Sequence, residues 1–145
     1  MADGIFISQP KYALEILSRF HMSDCKSSPS PFQSGVKLIV DATLYRQLVG
    51  SLIYLTHSRL DISFVVSMVS RFMQNPHESH WLATKRIFYY IQGIMHYGVL
   101  YSSKANVLVL GYTDFDWEGD SSIQRSTIGY MFQLGSGPIS WSSKK

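Results

Sequence analysis

The sequence predicts an α+β fold in which an N-terminal strand and a helical region precede an antiparallel sheet. Apolar residues recur at helical spacing as far as residue 97, and after that point the period of the pattern changes to two residues, as expected for β-strands. The charge changes at almost the same place, because residues 1–105 carry a net +4 and residues 106–145 a net −1. We therefore expect a basic helical module followed by an acidic β module.

The first segment, residues 1–22, is predicted to contain one strand and one helix. Gly4–Ser8 is a short β-type run, and Pro10 is tolerated in the first turn of a helix. The apolar stripe of that helix is formed by Tyr12, Ala13, Ile16, Leu17 and Phe20. Residues 23–40 are predicted to be a linker, because five serines, two prolines and a glycine occur among residues 23–35.

The helical region proper, residues 41–105, begins at a capping residue. Asp41 has a side chain that can accept hydrogen bonds from the free N–H groups of the first helical turn. The leucines expected to face a common core are Leu44, Leu48, Leu52 and Leu55. Asp61 is predicted to cap the next helix, which should end before Pro76 because the residue before a proline disfavours the α conformation.

A further helix is predicted from about Glu78 to Gln92. Its apolar side is expected to be formed by Trp81, Leu82, Phe88 and Ile91. Gly93 stands where a left-handed residue commonly ends a helix.

Residues 106–145 predict an antiparallel meander. Residues 107–112 follow the two-residue period of a strand. Thr127–Leu134 is expected to form the next strand, and Ile139–Ser142 is expected to form the last one. Gly135–Gly137 has the composition of a tight turn between them.

Composition excludes several classes of protein. Hydrophobic residues make up 46% of the chain, which is ordinary for a globular domain and unlike a disordered one. The single Cys25 excludes an internal disulfide and lacks a recognisable base partner. No secretory signal is seen at the N-terminus, and no apolar run approaches the ~20 residues of a membrane span. We expect no membrane association, and the sequence carries no signal for localisation.

Four carboxylates alternate after a predicted strand: Asp114, Asp116, Glu118 and Asp120. A calcium loop is one interpretation, but Arg125 stands where such a loop needs a bidentate glutamate, and a strand precedes it where a helix is required. A second interpretation is one part of a two-metal phosphodiester site. A third is a solvated acidic turn, and spacing alone does not decide between them.

Lys85 and Arg86 lie beside Tyr89 and Tyr90 on the predicted helix, a composition suited to phosphate contact and base stacking. The alternative is an ordinary amphipathic helix, whose basic side chains cover the edge of the core while their charges stay in water. The histidines of this region, His77, His80 and His96, lack a zinc-binding pattern and are expected at the surface or at helix ends.

Several blocks of the sequence together carry a family resemblance. They are Gly4–Gln9, Tyr45–Thr56, Ser70–Met73, His80-Trp81, Gly111–Asp114 and Ile139–Lys145. In this order and spacing they resemble the C-terminal part of the Pol polyprotein of Ty1/copia-type LTR retrotransposons, over essentially the whole chain.

The resemblance implies a role for each module. The first strand would be the tail of a reverse-transcriptase palm, the helices the thumb and connection, and residues 106–145 a truncated RNase H-like sheet. Asp114 matches the first metal-binding aspartate of that RNase H, which would help hold Mg²⁺ at the scissile phosphate of an RNA/DNA hybrid. The family also implies a cytoplasmic or nuclear location.

The departures from the family limit what activity is expected. The chain contains no Asp-Asp pair, which the polymerase centre requires, and the resemblance places the later RNase H carboxylates after Lys145. Phe115, Glu118 and Leu60 replace the usual serine, alanine and proline. We therefore expect a Pol fragment that is catalytically incompetent alone; the alternative is a non-catalytic remnant that binds nucleic acid or protein.

Overall fold

A computed structural model of the chain describes residues 3–27, 41–116 and 127–144. Its elements in chain order are β1 (Gly4–Ser8), α1 (Pro10–Arg19), α2 (Ala42–Leu55), a 3₁₀ turn (Leu60–Ile62), α3 (Ser63–Ser70), α4 (Glu78–Gly93), β2 (Gly98–Ser102), β3 (Val109–Asp116), β4 (Thr127–Leu134) and β5 (Gly137–Lys144). The predicted α+β class is confirmed. The chain divides into two compact units, residues 9–97 and residues 1–8 together with 98–145.

The helical unit is built around one face of α2. The inward side chains of this helix, Tyr45, Leu48, Leu52 and Leu55, are almost completely buried. The other helices and their flanking residues contribute the rest of the core: Ala13, Ile16, Leu17, Met22, Ile62, Val66, Val69, Ile87, Phe88 and Ile91. Burial of this much apolar surface is the main favourable term in the folding of the unit.

The predicted start of α2 is confirmed by the geometry of its cap. Asp41 Oδ1 accepts hydrogen bonds from the backbone N–H groups of Thr43 at 2.7 Å and Leu44 at 3.3 Å. These bonds satisfy two of the amide groups that the first helical turn leaves without an intrahelical partner.

Two leucines predicted to face the core are exposed. Leu44 is 37% exposed and Leu82 is 42% exposed. On α2 the aromatic ring of Tyr45 occupies the inward position, and on α4 the buried side begins at Thr84. A helix turns by about 100° per residue, so a shift of one or two positions moves a side chain off the buried face.

Three predicted helix ends are wrong. Asp61 caps no helix, because it lies inside the 3₁₀ turn and its carboxylate binds Arg59. Gly93 does not have the left-handed conformation expected of it; it is the last residue of α4. The helix ends at Ile94, which has φ −136°. Additionally, α3 stops at Ser70, well before Pro76.

The second unit contains two antiparallel sheets. β1 pairs with β2, and β3, β4 and β5 form a meander in that order. The predicted turn between β4 and β5 is confirmed: Gly135 has φ +57°, a conformation that glycine adopts without steric cost. The pairing of β1 with β2 brings together segments about 90 residues apart, and local sequence patterns do not predict it.

A buried glycine joins the two sheets of this unit. A Cβ placed on Gly137 would lie 2.8 Å from the ring of Tyr101 and 3.1 Å from Val99 Cγ1. The Tyr101 hydroxyl donates to the Pro138 carbonyl, and Ser136 Oγ accepts from the Ser102 N–H at 2.8 Å. Glycine is therefore needed at residue 137 for β2 to approach β5.

The three-stranded sheet carries apolar side chains on both faces. The register places Val109, Tyr130, Phe132 and Leu134 on one face, and Leu110, Tyr112, Met131 and Trp141 on the other. Many of these side chains are exposed. Apolar residues on both faces are typical of a sheet that has a covering layer on each side.

Among the described residues, no helix combines the length and apolar character required to cross a membrane.

Tyr45 provides a test of the α2 core, since its hydroxyl also donates to the Val69 carbonyl at 2.8 Å. Tyr45→Ala is expected to lower the free energy of unfolding by about 3–5 kcal/mol through loss of a buried ring. Tyr45→Phe keeps the ring and should cost about 1 kcal/mol. Urea unfolding followed by far-UV circular dichroism measures both, with Tyr54→Phe as the exposed control. Equal losses for the two Tyr45 variants would contradict the packing described.

Candidate functional site

Asp114 lies within β3, near the carboxyl end of the strand, whereas the sequence predicted it directly after the strand. Its partner across the ladder is Gly129 of β4, and a Cβ at that glycine would lie 3.8 Å from the Asp114 Cβ. Because glycine has no side chain, the position beside the aspartate is open and the carboxylate is exposed. The strand therefore presents Asp114 to solvent, where it can reach a cation or a substrate.

The surface next to Asp114 is apolar. Tyr112, Met131 and Trp141 form the adjacent row across the three strands, on the face that also carries Asp114. In this row only the tyrosine hydroxyl and the indole N–H can donate a hydrogen bond to the carboxylate. The tyrosine hydroxyl is also the one side-chain oxygen of the row that could bind a metal.

The rest of the acidic block contributes little to the described structure. The backbone of Asp116 forms the last residue of β3, whereas Glu118, Asp120 and Arg125 lie outside the described residues. Asp114 and Asp116 occupy a strand, so the start of a helix–loop–helix calcium site is not formed there.

No cluster of metal-ligating side chains is found among the residues that the structure describes. Within them there is no group of three or more histidine, cysteine, aspartate or glutamate side chains that could hold an ion. Asp114 is one oxygen ligand, whereas Mg²⁺ bound to protein requires further carboxylates, waters or substrate phosphates around it.

Lys85 and Arg86 lie on α4 and are both half-buried. The Lys85 ammonium lies 5.4 Å from the centre of the Trp81 ring, a cation–π contact within the same helix. Tyr89 and Tyr90 pack partly against the core. Burial, and after it the nearby Asp61 carboxylate, raises the pKa of Tyr90. The two tyrosines are thus engaged in packing and are poorly placed to stack on bases.

Arg59 is a buried cation that sequence patterns did not single out. It is 2% exposed, and its guanidinium donates to Asp61 Oδ1 at 2.9 Å, to Asp61 Oδ2 at 2.7 Å and to the Ile94 carbonyl at 3.2 Å. The ring of Tyr97 lies 5.9 Å from the guanidinium carbon. This planar fork joins the 3₁₀ turn to the end of α4, so Arg59 is structural and unavailable to a substrate.

His77 and His80 hold the start of α4, in agreement with the helix-end position predicted for them. His77 is the N-cap, and His80 Nδ1 accepts from the His77 backbone N–H at 3.0 Å. The His80 ring stacks on Phe72 with ring centres 3.6 Å apart. Burial, and secondarily the neighbouring His77, lowers the pKa of His80.

Cys25 has no features of a nucleophile. Partial burial raises the pKa of its thiol above the usual value, which reduces the thiolate fraction at neutral pH.

Two curated proteins align with almost the whole length of this chain. The retrovirus-related Pol polyprotein from transposon RE1 of Arabidopsis thaliana is 45% identical over 151 residues, an alignment that covers 98% of the chain. The corresponding protein from transposon RE2 of the same plant is 41% identical over 151 residues and 99% of the chain. The chain belongs to the Ty1/copia-type Pol polyproteins. The resemblance seen in the sequence blocks is confirmed.

This Pol segment spans 10% of the length of each of these two relatives. An uncharacterized mitochondrial protein of Arabidopsis thaliana is 36% identical over 149 residues, which are 99% of the Pol segment and 62% of that protein. No family model matches the sequence, and no solved structure matches it.

The His80 cap predicts a pH-dependent stability of the helical unit of the Pol segment. Because the folded-state pKa of His80 lies below the usual 6.5, the unfolded chain binds more protons. The stabilisation is complete above the unfolded-state pKa and is lost as the pH falls through the folded-state value. A proton on Nδ1 removes the acceptor for the His77 N–H.

Melting temperatures between about pH 7.5 and 5.5 measure this effect. His80→Gln retains an acceptor at the third helical position without titrating, so its melting temperature should fall less on acidification than that of the wild type. The same pH dependence in both proteins would exclude the His80 cap as the cause.

Proposed function

We propose that the chain is the part of a Pol polyprotein that joins the thumb and connection of a reverse transcriptase to the first strands of an RNase H domain. The ordered sequence blocks, the Pol relatives and the change from helices to an antiparallel sheet support this assignment. The parent protein would carry out RNA-directed DNA synthesis and degrade the RNA strand of RNA/DNA hybrids.

We also propose that this chain is catalytically incompetent by itself. The observation that carries this part is that the described residues bring no group of three or more histidine, cysteine, aspartate or glutamate side chains together around Asp114. Cleavage of a phosphodiester by two metal ions needs several carboxylates from separate elements, whereas one carboxylate cannot hold the ion pair. Within a complete domain Asp114 would be a metal-binding catalytic residue, completed by carboxylates from other segments.

Polymerase activity is outside the proposed function of this chain. The sequence has no adjacent pair of aspartates, which the family uses to bind the polymerase metals.

A ribonuclease assay on the full 145-residue chain tests the proposed incompetence. With a labelled RNA/DNA hybrid and either Mg²⁺ or Mn²⁺, we expect no cleavage above the background of the Asp114→Asn variant. A preparation of an intact RNase H provides the positive control. Cleavage by the wild type that disappears in Asp114→Asn would refute incompetence and would establish Asp114 as catalytic.

Nucleic-acid binding is the second candidate function. The observation that favours it is the net +4 charge of residues 1–105, with Lys85 and Arg86 adjacent on α4. Cations that neutralise phosphates release counterions from the nucleic acid, so the affinity of such a surface falls as salt rises. Both side chains are half-buried, and long basic side chains commonly cover apolar surface with their stems while their charged ends stay in water.

The salt dependence of binding to an RNA/DNA hybrid tests the role of these two residues. If both side chains contact phosphates, the double variant Lys85→Ala/Arg86→Ala should have a shallower slope of the logarithm of the binding constant against the logarithm of the salt concentration, by about 1–2. Lys26→Ala with Arg71→Ala changes the net charge equally at exposed positions and is the matched control. Equal slopes for the two double variants would show that α4 makes no localised contact.

A further inference from the structure

Three aromatic rings meet where α1 crosses α2. The Tyr12 and Tyr54 rings lie edge to face, with centres 4.8 Å apart and an angle of 65° between their planes. The His57 ring follows at 5.7 Å from that of Tyr54. We call Tyr12, Tyr54 and His57 the aromatic platform.

Hydrogen bonds hold these rings in place. The Tyr12 hydroxyl donates to the Ser51 carbonyl at 3.3 Å, which ties α1 to α2. His57 Nδ1 lies 2.8 Å from the Tyr54 carbonyl oxygen and must donate to it, because a carbonyl only accepts. The platform is therefore ordered before any ligand arrives, which reduces the entropy lost on binding.

The centre of the platform remains open. Tyr54 is 53% exposed, so about half of its surface is accessible to a ligand. One turn earlier on α2, a Cβ placed on Gly50 would have nothing within 4 Å. A flat group can therefore approach Tyr54 along α2 without displacing a side chain.

The charge around the platform favours an anionic ligand. Helix α2 contains no acidic residue, and Lys11, next to Tyr12 in the chain, is exposed. Glu15, the acidic residue of α1, is paired with Arg19. A ligand that combines flat rings with negative charge matches both the rings and the charge of this surface.

We propose that the aromatic platform stacks on one or two unpaired bases of single-stranded nucleic acid. Aromatic side chains stack on any base, since every base has a π-face, and nearby cations retain the phosphate backbone. This inference deepens the nucleic-acid binding proposed above by naming a base-contacting surface separate from Lys85 and Arg86. It does not depend on catalysis.

Fluorescence anisotropy of the full chain with a labelled 12-nucleotide oligothymidylate tests the proposal. Tyr54→Ala should weaken binding roughly 5- to 150-fold, the range expected for the loss of one stacked base. Tyr54→Phe keeps the ring and should bind within about twofold of the wild type. Phe64→Ala removes an exposed aromatic ring from α3 and is the matched control, expected to have no effect.

An abasic oligonucleotide of the same length separates stacking from phosphate contact. The wild type should bind it about as weakly as Tyr54→Ala binds oligothymidylate. Equal affinity of wild type and Tyr54→Ala for oligothymidylate would refute the platform and leave the Lys85 and Arg86 proposal standing. Absence of binding at low salt would refute both, and tighter binding of a proline-rich peptide would assign the platform to a protein partner.

Discussion

Burial of one face of α2 is the constraint on which the helical unit depends. Helices α1, α3 and α4 all pack against α2. Tyr45 contributes a fully buried ring there, and its hydroxyl is satisfied by the end of α3. A buried ring and a satisfied hydroxyl together fix both the depth and the orientation of α3, which apolar contact alone leaves adjustable. The Arg59 fork acts similarly at the other end of the unit, where it holds the 3₁₀ turn to the residues that follow α4.

The second unit depends on a different constraint. Every buried hydrophobic residue found in the described ranges belongs to the helical unit, whereas the three-stranded sheet exposes apolar side chains on both faces. A sheet gains stability by covering such faces with another layer. The described part of this unit instead relies on ladder hydrogen bonds and on the close approach of Tyr101 to Gly137. This contrast agrees with the proposal that the sheet is one part of a larger domain.

The chemistry is divided in the same way. The candidate metal ligand, Asp114, lies on the sheet, while the basic and aromatic surfaces lie on helices of the other unit. Hydrolysis requires ligands brought together within a few ångströms, and one exposed carboxylate does not meet that requirement. Nucleic-acid binding has a weaker geometric demand, because phosphates and bases are repeated along the strand. Of the two proposed functions, binding therefore requires less of the geometry to be in place.

Local patterns in the sequence determined the class of each element and several of its ends. The cap at Asp41 and the turn at Gly135 depend on the conformational preferences of one or two residues, which act over a few positions. The ordered blocks were also sufficient to identify the Pol family, and they placed Asp114 at the end of its strand. The apolar stripes gave the buried side of α2 and α4 to within one or two residues, with Leu44 and Leu82 as the errors.

Only the tertiary structure decided which distant residues meet. Three contacts join segments that are tens of residues apart in the chain: β1 with β2, Tyr101 with Gly137, and Tyr12 with Tyr54. The tertiary structure also decided the role of Arg59. An arginine after a helix is ordinarily solvated, and Arg59 is buried because the Asp61 carboxylate and the Ile94 carbonyl accept its hydrogen bonds. The sequence thus determined what depends on neighbours in the chain, and the fold decided what depends on neighbours in space.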